Sequence, residues 1–358
     1  MFVQSKRKTY ICKNSIGMRK AVFVLTGLLL ATAFCNQIHA QSGSFLLNYK
    51  SDLPTPQEVE QIKTRKLIIM SARWEADIVE EYKRLKEFAA LEEYKDNCAT
   101  YSKAYTDMIE GYWSLHDTAI VRSYIDIKTM LEAGEKDYVV LAFVQVHGRI
   151  NNDDKKEFTY TYSYTGDEAA NDARPYDPLN YKALVLLPIE ALTEFPDDIR
   201  KMYLGVAMPH QVPVKSDIIY GIDIMNDIVK RKAANPKFSD NMLKEYAPKL
   251  KDYTLAISKD NWESSYLLRE AEEWYKLPIE KVEPEKFAEL VEFGMPGYAI
   301  AFKVGNFTAV ILSDTREIAY IQTPMDIPTK KTSQYFNSRD FHKIYEAVTG
   351  ERVTFKEK

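Results

Sequence analysis

Two stretches of this chain repeat each other at long range. Leu67-Ile68-Ile69 precedes Trp74-Glu75, and Leu255-Ala256-Ile257 precedes Trp262-Glu263, so Leu, Ile, Trp and Glu recur at one spacing of 188 residues. Downstream, Trp113 and Trp274 lie 161 apart, while Gly134 and Gly294, like Tyr138 and Tyr298, lie 160 apart. All four tryptophans of the chain take part. Such a repeat points to two copies of one supersecondary unit. The spacing falls by 27 between the two anchors, which puts an insertion in the first copy within Glu87 to Gly111. Its Ala, Leu, Tyr, Met and Lys content suits an added helix.

The second copy shows the order of elements. Tyr253 to Ile257 is a short apolar strand run. Asp260 or Asn261 can cap a helix over Trp262 to Tyr275, whose Leu267, Leu268, Ala271, Trp274 and Tyr275 share one stripe. Ile279 to Val282 predicts a strand. Glu283-Pro284-Glu285 then opens a helix that Gly294 ends. Tyr298 to Val304, Phe307 to Leu312 and Glu317 to Gln322 predict three strands, the first two joined by Gly305-Asn306 in a tight turn. The first copy repeats this order: a strand at Leu67 to Ser71, a helix from Trp74 to about Glu93, and a strand within Trp113 to Val121. A helix over Tyr124 to Ala133 follows, then strands at Tyr138 to Val146, Phe158 to Thr165 and Ala183 to Leu187.

The expected fold is therefore α/β (mixed α+β). Two related strand-helix-strand-helix-meander modules carry mixed sheets and are joined by a helical segment. The boundaries are 1–40 for a leader, 41–188 for the first module with its helical insertion near 87–111, and 189–239 for a helical connector. The second module covers 240–328, and a C-terminal helix and tail cover 329–358. In the connector, Ile218, Ile219, Ile222, Met225, Ile228 and Val229 form an apolar stripe, and Lys230-Arg231-Lys232 complements the helix dipole. Ser338 is positioned to cap the last helix, which Gly350 ends.

This element order resembles the small α/β domains of envelope proteins such as the curli-assembly and TolB N-terminal families, over about 100 residues per copy. It also resembles a thioredoxin-like core. The chain lacks the Cys-x-x-Cys motif on which redox chemistry would depend, so that activity is not implied. A shared fold does not carry function with it.

The leader bears on where the chain works. Lys6, Arg7, Lys8, Lys13, Arg19 and Lys20 are followed by an apolar run from Ala21 to Cys35 and by Ile38-His39-Ala40, with no acid among them. A basic start, a short apolar centre and a small residue at the cut describe a secretory signal peptide. The run is shorter than the ~20 residues a helix needs to span a bilayer. Cleavage after Ala40 makes Gln41 the first mature residue and places the protein in the periplasm or outside the cell. Lipid anchoring at Cys35 is disfavoured because Phe34 stands where a small residue is required. Without the leader, 42 basic residues face 52 acidic ones, a net charge of −10 against −4 for the whole chain. That balance argues against nucleic acid and against anionic membrane surfaces. Cys98 is the sole cysteine after Ala40 and lies in a helical pattern, which suits a small apolar residue.

Few residues announce chemistry. The chain has no His-Glu-x-x-His, no Gly-x-Ser-x-Gly and no phosphate-binding glycine loop. His116, His147, His210 and His342 share no metal-ligand spacing, and neither a metal nor another cofactor is expected. Folding could join His116 to His147. The oxygen-rich segment Asp167, Glu168, Asn171, Asp172 and Asp177 fails the EF-hand spacing. The candidate binding residues are the repeated pairs Trp74, Glu75, Trp262 and Glu263, together with Tyr160, Tyr162 and Tyr164. Alternation puts these tyrosines on one strand face, opposite Thr159, Thr161, Ser163 and Thr165. They form either an aromatic platform or core packing beneath helices. The expected function is non-catalytic binding or scaffolding in the bacterial cell envelope, with an envelope protein or a cell-surface glycan as partner. The alternative is a secreted, carboxylate-based hydrolase acting on glycans, a class that needs no common spacing.

Overall fold

The computed structural model describes residues 53–71, 76–152, 157–164, 180–193, 202–210, 213–262, 268–304, 307–322 and 335–351. The proposed leader lies outside them. Helix α1 (Pro56–Thr64) opens with a capping box. Glu58 N–H donates to Thr55 Oγ1 at 3.2 Å, and Thr55 N–H donates to the Glu58 carboxylate at 2.7 Å. Strand β1 (Lys66–Met70) is buried after its first residue, as suits a central strand with both faces covered. Helices α2 (Ala76–Leu85) and α3 (Phe88–Tyr112) follow, broken at Lys86, whose φ is 58°. Then come β2 (Ala119–Arg122), α4 (Tyr124–Glu132), β3 (Tyr138–Asn152), β4 (Glu157–Tyr164), β5 (Asn180–Pro188) and β6 (Leu204–Ala207). Helix α5 (Lys215–Ala234) leads to the second sheet. Its elements are β7 (Thr254–Ser258), α6 (Leu268–Tyr275), β8 (Ile279–Val282), α7 (Pro284–Phe293), β9 (Tyr298–Val304), β10 (Phe307–Leu312) and β11 (Ile318–Gln322). Helix α8 (Ser338–Thr349) closes the described chain.

The two sheets have one topology. The first runs β2-β1-β3-β5-β6 and the second β8-β7-β9-β10-β11. In each, the first strand of the module is parallel to both its neighbours and the remaining pairs are antiparallel. The registers match residue for residue. Leu67 pairs with Ala119 and Val139, and Leu255 pairs with Ile279 and Ala299. These are the spacings of 188 and 160 seen in the sequence. Helix α3 covers the stretch in which the sequence places the insertion, and it packs on α5 as α6 packs on α8.

Four expectations need correction. The equivalents of β9, β10 and β11 are β3, β5 and β6, not β3, β4 and β5. Strand β4 lies off the common path and, among the described residues, pairs with β3 alone, from Val144↔Tyr164 to Asn152↔Glu157, beyond the end of β1. Strand β6 falls in the stretch expected to be helical and pairs with β5 instead. Trp262 does not start a helix: it is extended, after a 3₁₀ turn over Lys259–Asn261 that Ser258 caps, and the next described helix begins at Leu268. The cap of α8 is Asn337, whose side chain accepts from the N–H groups of Arg339 and Asp340. Gly294 and Gly350 do end their helices in the left-handed conformation, at φ 65° and 74°.

The core explains why the described residues of both modules belong to one compact unit. On β7, β9 and β10 alternate residues face opposite ways. Leu255, Ile257, Ala301, Val310 and Leu312 pack with Trp262, Tyr275, Phe341 and Ile344 under α6 and α8. Ala256, Ile300, Phe302 and Ile311 join a larger core that also contains β1, β3, β5 and α5. Helix α5 is buried continuously from Ser216 to Val229, on every side and not on a stripe alone. Tyr220 on α5 lies against Phe302 of β9, ring centres 4.2 Å apart. On the other side Gly221 brings the helix close to β5 and β6, since a Cβ there would lie 2.8 Å from Met208 Cε. Helix α5 follows β6 as α8 follows β11, so it closes the first module while covering the second.

Candidate functional site

Of the repeated tryptophans Trp74 and Trp262, the structure describes Trp262, which packs inside the core. Trp262 is buried against Phe341, ring centres 5.7 Å apart, and bridges Phe336, while Lys281 Nζ sits 5.2 Å from its ring centre. Trp74, Glu75 and Glu263 lie outside the described residues, as does the oxygen-rich segment from Asp167 to Asp177. Tyr160, Tyr162 and Tyr164 occupy β4 at positions opposite Gly148, Val146 and Val144; their side chains are outside the description. Folding does not join His116 to His147. His116 precedes β2, whose Ala119 is in register through Leu67 with Val139, and His147 lies eight residues further along β3. At ~3.3 Å per residue that is roughly 26 Å. His116 Nδ1 instead accepts from Trp113 Nε1 at 2.8 Å, and burial lowers its pKa. His342 is buried, with Nε2 3.2 Å from Glu346.

What the fold does bring together is a set of buried charges at α5 and α8. Each of these helices has an aspartate in its third position. Val214 N–H donates to Asp217 Oδ2 and Asn337 N–H donates to Asp340 Oδ2, both at 3.0 Å. Both carboxylates are buried and each meets a basic side chain. For Asp217 it is His210, with Nδ1 2.8 Å away. For Asp340 it is Lys303, itself buried in β9. A carboxylate at a helix start is favoured by the dipole and the free N–H groups, but burial requires a counter-charge. Burial depresses the imidazole of His210, but the carboxylates of Asp217 and of Asp260, beyond β7, outweigh it and the net shift is upward. His210 thus reads charges from both modules.

A second group lies along α5. Asp223 meets Arg316 of the β10–β11 turn at 2.9 Å. The same guanidinium donates to the Val291 and Glu292 carbonyls at the end of α7 (3.1 and 2.8 Å) and lies 4.8 Å from the Tyr112 ring centre. Asp227, one turn on, pairs with Arg231 at 3.0 Å and accepts from Ile318 N–H at 3.0 Å. Arg231 donates in turn to Ile318 O at 2.6 Å and stacks on Tyr246 at 3.9 Å. Asn226 donates to Tyr112 O at 2.9 Å. Burial pushes the Asp223 carboxyl up to about 7, against the pull of Arg316. Burial also raises Asp227, against Arg231. The basic triplet therefore does more than complement the dipole: Arg231 fastens β11, and Lys232 donates to Phe238 O.

Sequence reading named His210 only as an isolated histidine and missed the aspartates. The available signal was local. Val214-Lys215-Ser216-Asp217 and Asn337-Ser338-Arg339-Asp340 both end in an acid three residues after a helix cap. Their cations come from elsewhere in the fold, which no spacing announces.

Fold and site together define an α/β protein of two fused copies of one module, locked by buried ion pairs along a shared helix. Comparison with family models, with curated proteins and with solved structures found no match. Among the described residues, no group of three or more His, Cys, Asp or Glu could hold a metal ion, and no helix is long and apolar enough to cross a membrane.

Proposed function

We propose that this chain is exported and acts in the bacterial cell envelope as a non-catalytic binding or scaffolding protein, engaging an envelope protein or a cell-surface glycan. The observation that carries the reading is the leader: six basic residues, the apolar run from Ala21 to Cys35, and Ala40 before the cut.

The test is to express the full sequence in a Gram-negative host, separate the compartments and read the N-terminus by mass spectrometry. The expected result is a chain beginning at Gln41 in the periplasm or medium. An intact leader in the cytosol overturns the export reading. Cross-linking in intact cells should then capture a specific envelope component. Turnover of glycan substrates with no captured component would reverse the choice between binder and enzyme.

A further inference from the structure

We infer that α5 is a proton-responsive joint between the two modules, tightest in mildly acidic surroundings and loosening as they turn alkaline. The geometry is a helix buried from Ser216 to Val229 with three acids along it, at 217, 223 and 227, the first facing a histidine and the other two an arginine each. Around Asp217 stand His210, the Val214 N–H and the buried Tyr220 phenol, and around His210 stand Asp217 and Asp260. Around Asp223 stand Arg316 from the β10–β11 turn and Lys230 and Asp227 from α5 itself. Around Asp227 stand Arg231, the Ile318 N–H and Glu317, and Lys249 pairs with Glu317 at 2.8 Å. Lys215 at the start of α5 pairs with Glu292 of α7.

The equivalent position of the second module shows what is unusual. There the capping aspartate, Asp340, faces a lysine, which stays charged throughout the physiological range, whereas Asp217 faces a histidine, which does not. The histidine favours the folded state when protonated, and that contribution fades as pH rises through its raised folded value. Asp223 acts in the same direction. Burial raises its carboxyl to about 7 despite Arg316, so its contribution also declines as pH climbs from the ordinary carboxylate range through about 7. Asp227, also raised by burial, acts the same way, so the His210–Asp217 pair at the start of α5 and the two acids along it share one sign.

The experiment is hydrogen exchange on the full chain at about pH 5.5 and about pH 8.5, corrected for intrinsic rates, beside thermal melting over the same range. Amides of α5 and of the 313–318 turn should exchange at least about tenfold faster at the higher pH, the equivalent of one pKa unit, while β9 and β10 change little. His210→Lys, the second module's own solution, and Asp223→Asn, a fixed neutral form, should each remove part of the pH slope in melting temperature, and together most of it. Equal protection of α5 at both pH values overturns the inference, as does an undiminished slope in a folded double variant. If the variants fail to fold, the exchange measurement on the unaltered chain decides alone.

Discussion

At the scale of single residues, the large buried side chains and the buried charges fail in different ways. Trp262 fills the space between β7 and α8, so Trp262→Ala should cost about 3–5 kcal/mol in urea unfolding. A cost under about 0.5 kcal/mol, that of a surface change, would return it to the list of ligand contacts. Lys303 is a different case. Lys303→Met leaves Asp340 buried without its cation and should cost about 3–5 kcal/mol, whereas adding Asp340→Asn should restore much of the loss. Chemical denaturation of the three variants checks this, and additive losses would refute the coupling. The tryptophan was marked by its repeated position as a candidate binding residue; its burial depends on Phe336 and Phe341, which come from far downstream. The lysine's role was not legible: its partner lies 37 positions away, and a lysine in a strand pattern reads as a solvated residue.

Elements are where the repeat was most readable and also where it misled. Central strands and glycine-ended helices are written locally, in apolar runs and in Gly294 and Gly350. Gly294 has a second constraint, because a Cβ there would lie 2.9 Å from Ser313 O. Gly294→Ala should therefore destabilise by more than about 1 kcal/mol, measured as a shift in urea midpoint at constant slope. Strand β6 escaped notice because Leu204–Ala207 is only four residues long and contains a glycine, too short for alternation to show. Strand β4 was assigned to the common sheet path because its Tyr-Thr alternation is the clearest strand signal in the chain. Pattern strength says that a strand exists and says nothing about which neighbour it takes.

At the scale of the whole molecule, one helix decides the behaviour. Sequence showed that α5 has an apolar stripe, but burial on every side depends on a second sheet arriving from 20 or more residues downstream. Because the larger core draws on both sheets, the chain should unfold in urea as one transition, with tryptophan fluorescence and far-ultraviolet circular dichroism coinciding. Two separated transitions would mean that the modules are independently stable.

The position of α5 also bears on how such a chain can change over generations. A residue on that helix answers to two neighbourhoods at once, so a substitution that suits one side is vetoed by the other. The exposed acids and lysines of α2 face no such double scrutiny. The halves are thus bound to each other's history: neither can be lifted out, exchanged or lost without stranding a helix whose surface was shaped for both.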